Sequence, residues 1–357
     1  MRKPTLQDVA QAAGVSYATA DRVLNARGNV SARAEARVRE AIDRLGYRRD
    51  VHAANLSRRR VYRFRFLLPS CDHSVFRSLR EAVLSEKVLR APDRVSVSLR
   101  DVPAFDARAL ADALSAIDPG QCDCVAFVGL DSAAVAAQVA RLDAAGVRVL
   151  TVVSDTSAPE RAAYVGIENI GAGRTAGRLI ALGHTGRDGL ILPLIGTRAA
   201  KDHADRLDGV TQVLAGRERI ALLPLAEALD SPALMRALVL KALADTPGLT
   251  GIYSMGAGNR GLFQAIETLA PADRPLVIVH ELVPHSRAAL ESGLIDAVID
   301  QKPAEEVAAA LDIMRALADG LPVLPGPNIT PTIYVKDNLP AHPAPATEGD
   351  PESERIL

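Results

Sequence analysis

Apolar residues recur at the spacing of an α-helix in three short segments near the start of the chain. The apolar positions of these segments are, in order, Leu6, Val9, Ala10 and Ala13; Ala20, Val23 and Leu24; and Val38, Ala41, Ile42 and Leu45. Thr5, Ser16 and Ser31 are suited to accept hydrogen bonds from the first free N–H groups of the three helices. Gly14 allows a tight turn between the first two segments. The pattern predicts a small unit of three helices.

From Tyr62 onward, short apolar runs alternate with Ala-, Leu- and Arg-rich stretches at helical spacing. The apolar runs lie at 64–68, 95–99, 125–128, 147–153, 190–195, 251–253, 276–279 and 297–299. Such alternation predicts parallel sheets that are covered by helices on both faces. The runs form two sheets, near 62–168 and 169–298, before a helix at 303–320 and a last strand at 329–335. The sequence therefore predicts a small all-α unit followed by an α/β unit of two parallel-sheet lobes.

The composition is that of a folded, water-soluble protein: 48% of the 357 residues are hydrophobic and 24% are charged. No apolar run approaches the roughly 18–20 residues that span a bilayer. The first residues lead directly into a polar helical segment without the apolar stretch of a signal peptide, so we expect a cytoplasmic protein and not an exported transport protein. Cys71, Cys122 and Cys124 do not have the spacing of metal ligands, and we predict neither a metal nor a cofactor.

The formal net charge of −1 conceals an asymmetry along the chain. Residues 1–65 contain 15 Lys and Arg against 6 Asp and Glu, a net of +9, whereas the remainder contains 27 against 37, a net of −10. A basic first segment ahead of an acidic remainder indicates an anionic partner for the first segment alone. A solvated basic surface without a partner is an equally good explanation of the charge by itself.

The second predicted helix has Tyr17, Ala18, Thr19, Asp21 and Arg22 on its outward face. A helix fits the major groove of B-DNA, where residues near its first turn reach the base edges. Tyr17 and Ala18 are suited to base or methyl contacts, and Arg22 can bridge two acceptors of guanine. A three-helix module that docks to another protein is the alternative, which the surplus of arginine disfavours.

This first segment resembles the LacI (lactose repressor-like) family of transcription regulators over about 60 residues. The motifs that carry the resemblance are Thr5-Leu6-Gln7-Asp8-Val9-Ala10, Ala13-Gly14-Val15-Ser16-Tyr17-Ala18-Thr19, Arg22-Val23-Leu24-Asn25, Val30-Ser31 and Leu45-Gly46-Tyr47. The resemblance implies a helix-turn-helix headpiece that binds a pseudo-palindromic double-stranded operator as part of a homodimer. The DNA contacts that it implies are Thr5, Ser16, Tyr17, Ala18, Thr19, Arg22, Asn25, Ser31, Ala53 and Leu56.

Residues 50–58 extend this resemblance. In LacI-type regulators the corresponding segment becomes a hinge helix on DNA, and one leucine from each of two chains wedges into the central minor-groove step. Leu56 occupies the wedge position, and an opened base step gives its apolar side chain a dry environment. The alternative is that Leu56 packs on the sensor domain.

The α/β region resembles the sensor domains of the same family, which are similar to periplasmic sugar-binding proteins. The motifs are Val153-Ser154-Asp155, Tyr164-Val165-Gly166-Ile167-Glu168-Asn169, Ala172-Gly173-Arg174, Gly256-Ala257-Gly258-Asn259-Arg260-Gly261 and Ile299-Asp300-Gln301. The resemblance implies a cleft at the carboxyl ends of the strands that binds a small polar effector, such as a sugar or polyol. The candidate effector contacts are Asp72, Phe76, Asp155, Arg206, Ser254, Asn259, Glu281 and Gln301.

These side chains suit a polyhydroxylated ligand, because each hydroxyl needs a donor and an acceptor and charged partners strengthen such hydrogen bonds. Phe76 is placed to cover the apolar face of a sugar. The sequence departs from its relatives after the 251–253 run, where Ser254 and Met255 stand in place of the usual Asn-Asp with one extra residue. The roles of Ser254 and Asn259 are therefore open.

The predicted organisation has four parts. They are a headpiece at 1–48, a hinge helix and linker at 49–61, a two-lobed sensor at 62–340, and a Pro- and Glu-rich tail at 341–357 that we expect to be disordered. Lobe 1 comprises about 62–168 and 301–324, and lobe 2 comprises about 169–300 and 325–340.

An NAD-dependent oxidoreductase is the alternative function. Gly256, Gly258 and Gly261 follow a strand and open a helix, and Glu281 ends the next strand, which is the dinucleotide-binding pattern. A second near-match at 171–176 indicates that such glycines serve turns between strands and helices generally.

A metallohydrolase has less support. His280 and His285 are five residues apart, and Pro284 disfavours a helix that would bring them to one face. The sequence therefore predicts a repressor without catalytic activity. Its first segment binds DNA and its α/β region binds an effector.

Overall fold

The computed structural model describes residues 4–24, 30–46, 60–70, 74–326 and 329–341. The chain divides into two compact units, Met1–Val61 and Tyr62–Leu357. Several predicted features lie outside the described residues, namely Asn25, the hinge segment with Ala53 and Leu56, Asp72, and nearly all of the tail.

The first unit contains the three predicted helices, α1 (Leu6–Ala13), α2 (Tyr17–Leu24) and α3 (Ala32–Leu45). Helix α1 begins with a capping box: the Thr5 hydroxyl accepts from the Asp8 N–H, and the Asp8 carboxylate accepts from the Thr5 N–H at 2.7 Å. A cap of this kind stabilises a helix by about 1 kcal/mol, because it satisfies N–H groups that have no partner within the helix.

The turn between α1 and α2 depends on Gly14, whose φ of 61° lies in the left-handed region that glycine adopts without strain. Ser16 begins α2 by accepting from the Thr19 N–H at 3.1 Å, and Ser31 begins α3 by accepting from the Ala34 N–H at 3.3 Å. The small core between the helices consists of Val9, Ala10, Ala13, Ala20, Val38 and Ala41.

The second unit alternates strands and helices as predicted. Its strands are β1 (Tyr62–Ser70), β2 (Val95–Pro103), β3 (Cys124–Val128), β4 (Arg148–Val152), β5 (Ala163–Val165), β6 (Gly189–Ile195), β7 (Ile220–Leu222), β8 (Ala226–Glu227), β9 (Gly251–Ser254), β10 (Leu276–His280), β11 (Ala297–Asp300) and β12 (Thr332–Tyr334). Its α-helices are α4 (Ser74–Arg90), α5 (Ala107–Ser115), α6 (Ala133–Ala144), α7 (Asn169–Gly183), α8 (Lys201–Leu214), α9 (Pro232–Asp245), α10 (Asn259–Ile266), α11 (Pro284–Glu291) and α12 (Pro303–Ala318).

The strands form two sheets. The first has the order β2-β1-β3-β4-β5 and is parallel throughout. The second has the order β12-β11-β10-β9-β6-β7, with β8 also paired to β6, and it is parallel except at its β12 edge. The expected last strand at 329–335 is therefore shorter than predicted, and it runs antiparallel to β11.

Helix α12 returns from the second sheet to the first. Its buried face, with Val307, Leu311 and Met314, packs into the core of the first sheet beside Phe64 and Phe66. Each such side chain stabilises the fold by about 1.5–3 kcal/mol through burial. Lobe 1 is thus the first sheet with α12, and lobe 2 is built on the second sheet.

Each sheet has a point at which the strand order reverses. The chain passes from β1 to β2 on one side and then to β3 on the other, and in lobe 2 it passes from β6 to β7 and then to β9. Ligands of open α/β sheets bind outside the carboxyl ends of the strands at such points. No helix in the described part of the chain is long and apolar enough to cross a lipid bilayer.

Candidate functional site

Helix α2 has an exposed face that extends from its first turn to its last. Tyr17 is 53% exposed, and Ala18 and Arg22 are also exposed, whereas Ala20 on the opposite side is fully buried. Thr19 is half-buried, and its hydroxyl lies 2.9 Å from that of Ser16. The hydroxyls of Ser16 and Thr19 therefore hold the start of the helix, while its exposed residues are available to a partner.

The cleft between the two lobes contains two cavities. The first, which we call the apolar cavity, encloses about 570 Å³, including space open to solvent. Its lobe 1 wall consists of Leu67, Leu68, Pro69, Phe76, Val102, Pro103, Ala104, Phe105, Leu110, Val128, Gly129, Leu130, Val153 and Ser154. Its lobe 2 wall consists of Ala200, Asp202, His203 and Asp230. The cavity lies at the carboxyl ends of the neighbouring strands β1 and β3, where the strand order reverses.

The second, which we call the polar cavity, encloses about 560 Å³, again including open space. It lies mainly in lobe 2 and is lined by Asp230, Pro232, Gly256, Ala257, Gly258, Asn259, Arg260, His280, Glu281, Val283 and His285, with Ser74 and Val75 from lobe 1. Asp230 is common to both cavities. The polar groups of lobe 2 therefore face one continuous region of the cleft.

Asp230 is held in an unusual backbone conformation. Leu229 and Asp230 have φ values of 47° and 52°, a backbone region that residues other than glycine rarely adopt. The Asp230 side chain is nearly buried, and its Oδ1 accepts from the N–H of Ala257 at 2.8 Å. Strain of this kind is of order 1–3 kcal/mol per residue and concentrates at ligand sites.

Asp202 begins α8 and faces the apolar cavity beside His203. Burial alone would raise the pKa of Asp202, but the electrostatic effects of His203 and Arg206 and a hydrogen bond with Ser154 outweigh it and hold this pKa below its ordinary value. Asp202 is therefore a carboxylate at neutral pH. Its backbone N–H also approaches the Ser154 hydroxyl of lobe 1 at 3.5 Å, which joins the two walls of the cleft.

Arg206 lies one turn further along α8 and is only 2% exposed. Its guanidinium donates to Asn169 Oδ1 at 2.9 Å, to the carbonyl of Met255 at 2.7 Å and to Gln301 Oε1 at 3.2 Å, and it lies 3.7 Å from Asp202. It lines neither cavity. Arg206 thus connects the first crossover between the lobes, the end of β9 and the second crossover beneath the cleft.

Gln301 passes this network on to Glu281, since its Nε2 donates to Glu281 Oε1 at 2.5 Å. Glu281 has a φ of 72°, and its Oε2 finds no hydrogen-bond partner among the described residues. Burial and the charge of Asp300 raise the pKa of Glu281 to about 8. Burial and the charge of Glu281 likewise raise the pKa of Glu306, whose carboxyl is fully buried. Glu281 is therefore protonated at neutral pH and can donate as well as accept.

His280 contributes a neutral ring to the polar cavity. Its Nε2 lies 2.8 Å from the hydroxyl of Tyr253, and its Nδ1 is buried without a partner among the described residues. Burial lowers the pKa of His280 well below its ordinary value. His285 lines the same cavity, and burial together with the charge of Arg260 lowers the pKa of His285 to about 4.

The predicted effector residues fall into different places. Phe76 lines the apolar cavity, and Glu281 and Asn259 line the polar cavity. The Asn259 Oδ1 accepts from the hydroxyl of buried Ser254 at 2.6 Å, so the two residues act as a pair at the end of β9. Gln301 lies beneath the cleft with the arginine network already described.

Asp155 lies outside both cavities. Its carboxylate pairs with Arg161 at 2.9 Å and accepts from the Thr151 hydroxyl at 2.5 Å. The neighbouring Asp131 accepts from the N–H of Ser157 at 2.7 Å. The carboxylates at these two strand ends of lobe 1 therefore order their own loops in this structure.

Sequence reasoning missed several residues of the cleft, namely Asp202, His203, Asp230, His280 as a lining residue, and Phe105. Asp202 and His203 stand four and three residues before Arg206, so the helical spacing was an available signal. Asp230 had none, because Leu-Asp-Ser-Pro is typical of the start of a helix.

The glycines of the alternative dinucleotide pattern have packing roles here. A Cβ at Gly256 would lie 2.7 Å from Asp230 Oδ1, and a Cβ at Gly261 would lie 1.8 Å from the carbonyl of Pro232. Gly258 has a φ of 86°. These contacts bring α10 against the start of α9 and explain the pattern without a pyrophosphate.

Comparison with known families agrees with this architecture. Residues 65–322 match the periplasmic binding protein domain, and residues 5–50 match the bacterial regulatory proteins of the lacI family. A solute-binding protein from Burkholderia graminis, solved in complex with D-arabinose, has a TM-score of 0.71 at 20% identity over 78% of this chain and 96% of that chain.

Two curated regulators are similar in sequence. HTH-type transcriptional regulator DegA of Bacillus subtilis is 32% identical over 81 residues, which are 23% of this chain and 24% of that protein. Catabolite control protein A of Streptococcus mutans is 35% identical over 79 residues, which are 22% and 24% respectively. The match thus spans about a quarter of each curated relative. The chain belongs to the periplasmic binding protein domain family and carries a lacI-family helix-turn-helix domain at its N-terminus.

Proposed function

We propose that this protein is a sequence-specific DNA-binding transcription regulator, acting as a repressor, whose operator affinity is controlled by a small polar effector. The observation that carries the proposal is the exposed face of α2, with Tyr17 and Ala18 in its first turn and Arg22 in its last turn, on a compact basic unit. The similarity to the lacI-family regulators supports this reading of the helix. The protein acts in the cytoplasm, at the nucleoid when bound to DNA, and works by binding rather than by catalysis.

In this proposal α2 lies in the major groove. Tyr17 and Ala18 contact bases or thymine methyl groups, Arg22 reads guanine, and the other basic residues neutralise phosphates. Thr5, Ser16, Thr19 and Ser31 approach the phosphate backbone from the helix starts that they hold. Asn25, Ala53 and the Leu56 wedge complete the interface, and they stay predictions from the sequence.

The effector binds in the cleft between the lobes. A sugar or polyol is supported by the polar groups of lobe 2 and by the D-arabinose complex of the similar Burkholderia protein. Asp202 and Asp230 accept hydrogen bonds from hydroxyl groups of the effector, and protonated Glu281 donates a hydrogen bond to a hydroxyl group of the effector. Arg206 and Gln301 hold these groups in place. The contact by Asp72 stays a prediction from the sequence, whereas Asp155 is engaged by Arg161 and lies outside both cavities.

The sensor units pair two chains into a homodimer, so that two headpieces meet the half-sites of a pseudo-palindrome. Support comes from the second half of α4, where Leu84, Val88 and Leu89 are 48%, 74% and 67% exposed. Effector binding in the cleft changes DNA affinity through a coupling of about 1–3 kcal/mol, which is roughly 5- to 150-fold.

Replacing Arg22 by Ala tests the function of α2. Loss of a guanine contact costs about 1–3 kcal/mol at the operator but leaves binding to random duplex nearly unchanged, because phosphate contacts dominate that binding. Affinities for operator and random duplex are measured by fluorescence anisotropy at one fixed salt concentration. Arg39→Ala is the control, since Arg39 is exposed on α3 and pairs with Glu35. An equal loss on both duplexes with Arg22→Ala would contradict the proposed reading role.

A further inference from the structure

The two walls of the apolar cavity differ in chemistry. Nearly all of the described lobe 1 wall is formed by Leu, Val, Pro, Ala and Phe side chains, with Ser154 as its polar member. Asp131 and Asp155, which end strands on the same side, are engaged by Ser157 and Arg161 and do not line the cavity. Hydroxyl groups placed against this wall would lose hydrogen bonds to water without replacement.

Phe105 gives this wall a second aromatic ring beside Phe76. It sits in the loop between β2 and α5 with a φ of 56° and is 38% exposed. A bulky residue rarely adopts this backbone conformation. Because the ring is partly exposed, packing in the protein core does not account for the strain. The strained backbone therefore keeps an apolar ring at the mouth of the cavity, where a bound apolar group would cover it.

The opposite wall and the polar cavity provide hydrogen bonds. Asp202 and Asp230 face the apolar cavity from lobe 2, and Asp230 also borders the polar cavity. Beyond it, Asn259, His280 and Glu281 line the polar cavity. Hydroxyl groups of a ligand therefore find hydrogen-bond partners on this side of the cleft and few on the lobe 1 wall.

We propose that the effector is amphipathic: a hydroxylated sugar-like part occupies the polar cavity as far as Asp230, and an apolar substituent of ring size lies between Phe76 and Phe105 in the apolar cavity. The inference rests on the proposed effector site and specifies its ligand class as a sugar with an apolar aglycone. It predicts that the apolar substituent, rather than the sugar alone, supplies much of the affinity, since buried apolar area is the main source of binding at such a wall.

Matched pairs of methyl and phenyl β-D-glycosides of glucose, galactose, xylose and arabinose test this inference on the full chain by isothermal titration calorimetry. The expected result is that, for at least one sugar, the phenyl glycoside binds ten-fold or more tightly than the methyl glycoside. Phe105→Asn reduces that ratio at least five-fold, and Asn tolerates the local backbone conformation. Leu182→Asn is the matched control, because Leu182 is 71% exposed on α7, away from both cavities, and it leaves the ratio unchanged.

Equal affinities for methyl and phenyl glycosides, or a phenyl preference that Phe105→Asn does not reduce, would overturn the inference. Binding of none of the eight glycosides would overturn it as well. DNA binding of the same preparations is measured separately by anisotropy, so failure of the amphipathic effector is distinguishable from failure of the regulator function.

Discussion

At the scale of single residues, Arg206 connects two of the segments that cross between the lobes. Its guanidinium reaches Asn169 on one crossover and Gln301 on another, and it also faces the carboxylate of Asp202. Asn169 Oδ1 and Gln301 Oε1 are buried and have no other donor among the described residues, whereas Asp202 is also stabilised by His203 and Ser154. A planar fork of donors is the group that can satisfy acceptors in several directions at once.

Arg206→Leu should therefore destabilise the sensor by about 3–5 kcal/mol, because it leaves the buried acceptors of Asn169 and Gln301 without a donor and removes part of the charge that balances Asp202. Differential scanning calorimetry should show a fall in Tm on the order of 10 °C. Arg178→Leu is the control, since Arg178 is exposed on α7 and its replacement should change stability by less than about 0.5 kcal/mol. A Tm for Arg206→Leu close to that of the control would contradict the role of the network.

Glu281 gives the stability of the sensor a pH dependence. The ordinary pKa of its carboxyl is 4.5, and in the folded protein burial and the charge of Asp300 raise the pKa of Glu281 to about 8. Between these values the unfolded chain releases a proton that the folded chain keeps, so the free energy of unfolding falls as pH rises. The contribution is complete below the lower pKa and is lost as pH passes the upper one. Glu306 acts in the same direction and Asp202 in the opposite one.

Glu281→Gln cannot ionise, yet it still accepts from Gln301. We expect its Tm to fall less between pH 5 and pH 8 than that of the unchanged protein, with a gain of roughly 4 kcal/mol in the free energy of unfolding at pH 8. Thermal unfolding at pH 5, 6, 7 and 8 measures the difference. The exposed Glu267→Gln should follow the unchanged protein. Parallel curves for Glu281→Gln and the unchanged protein would count against a buried protonated carboxyl.

Part of the cleft could be predicted from the sequence. Glu281, Gln301 and Phe76 follow strand ends or the first turn of the next helix, and a parallel sheet brings such positions together whatever the details. Asp230 could not be found, because its place depends on two successive residues in the left-handed region. Asp155 was predicted as an effector contact, but Arg161 binds its carboxylate, and no local sequence pattern predicts that ion pair.

At the scale of elements, the helices were predictable because their signals are local. Caps such as Thr5 and Ser31 and apolar positions at helical spacing lie within one segment. The sequence did not predict β5, β7 and β8, which are only two or three residues long. Strands this short exist because a neighbouring strand supplies their hydrogen bonds, and that neighbour is remote in sequence.

Helix α4 carries the element-scale prediction. Val88 is 74% exposed beside Leu84 and Leu89, and a second chain would bury this face. Val88→Glu should shift the protein from dimer to monomer at micromolar concentration, because an unpaired charge within the interface is costly. Sedimentation velocity measures the change. Leu324→Glu, at an 83% exposed position outside any helix, should stay dimeric. A dimer that survives Val88→Glu unaltered would place the interface elsewhere.

At the scale of the whole molecule, the two compact units have opposite charge and different chemistry. The basic first segment suits a polyanion, and the acidic remainder encloses a cleft with neutral and negative polar groups. Sequence alone predicted this division, because net charge and hydrophobic period both change near residue 62. It could not predict which groups of the cleft are free for a ligand, since that depends on contacts between distant elements.

The account depends most on the claim that the first unit reads DNA sequence. Repeated selection from a pool of random duplexes by the full chain, with sequencing of the bound fraction, tests it directly. We predict enrichment of one pseudo-palindromic site that binds at least 10³-fold more tightly than random duplex, in the range of specific regulators. A bound fraction with no enriched site, with or without the glycosides present, would contradict the account.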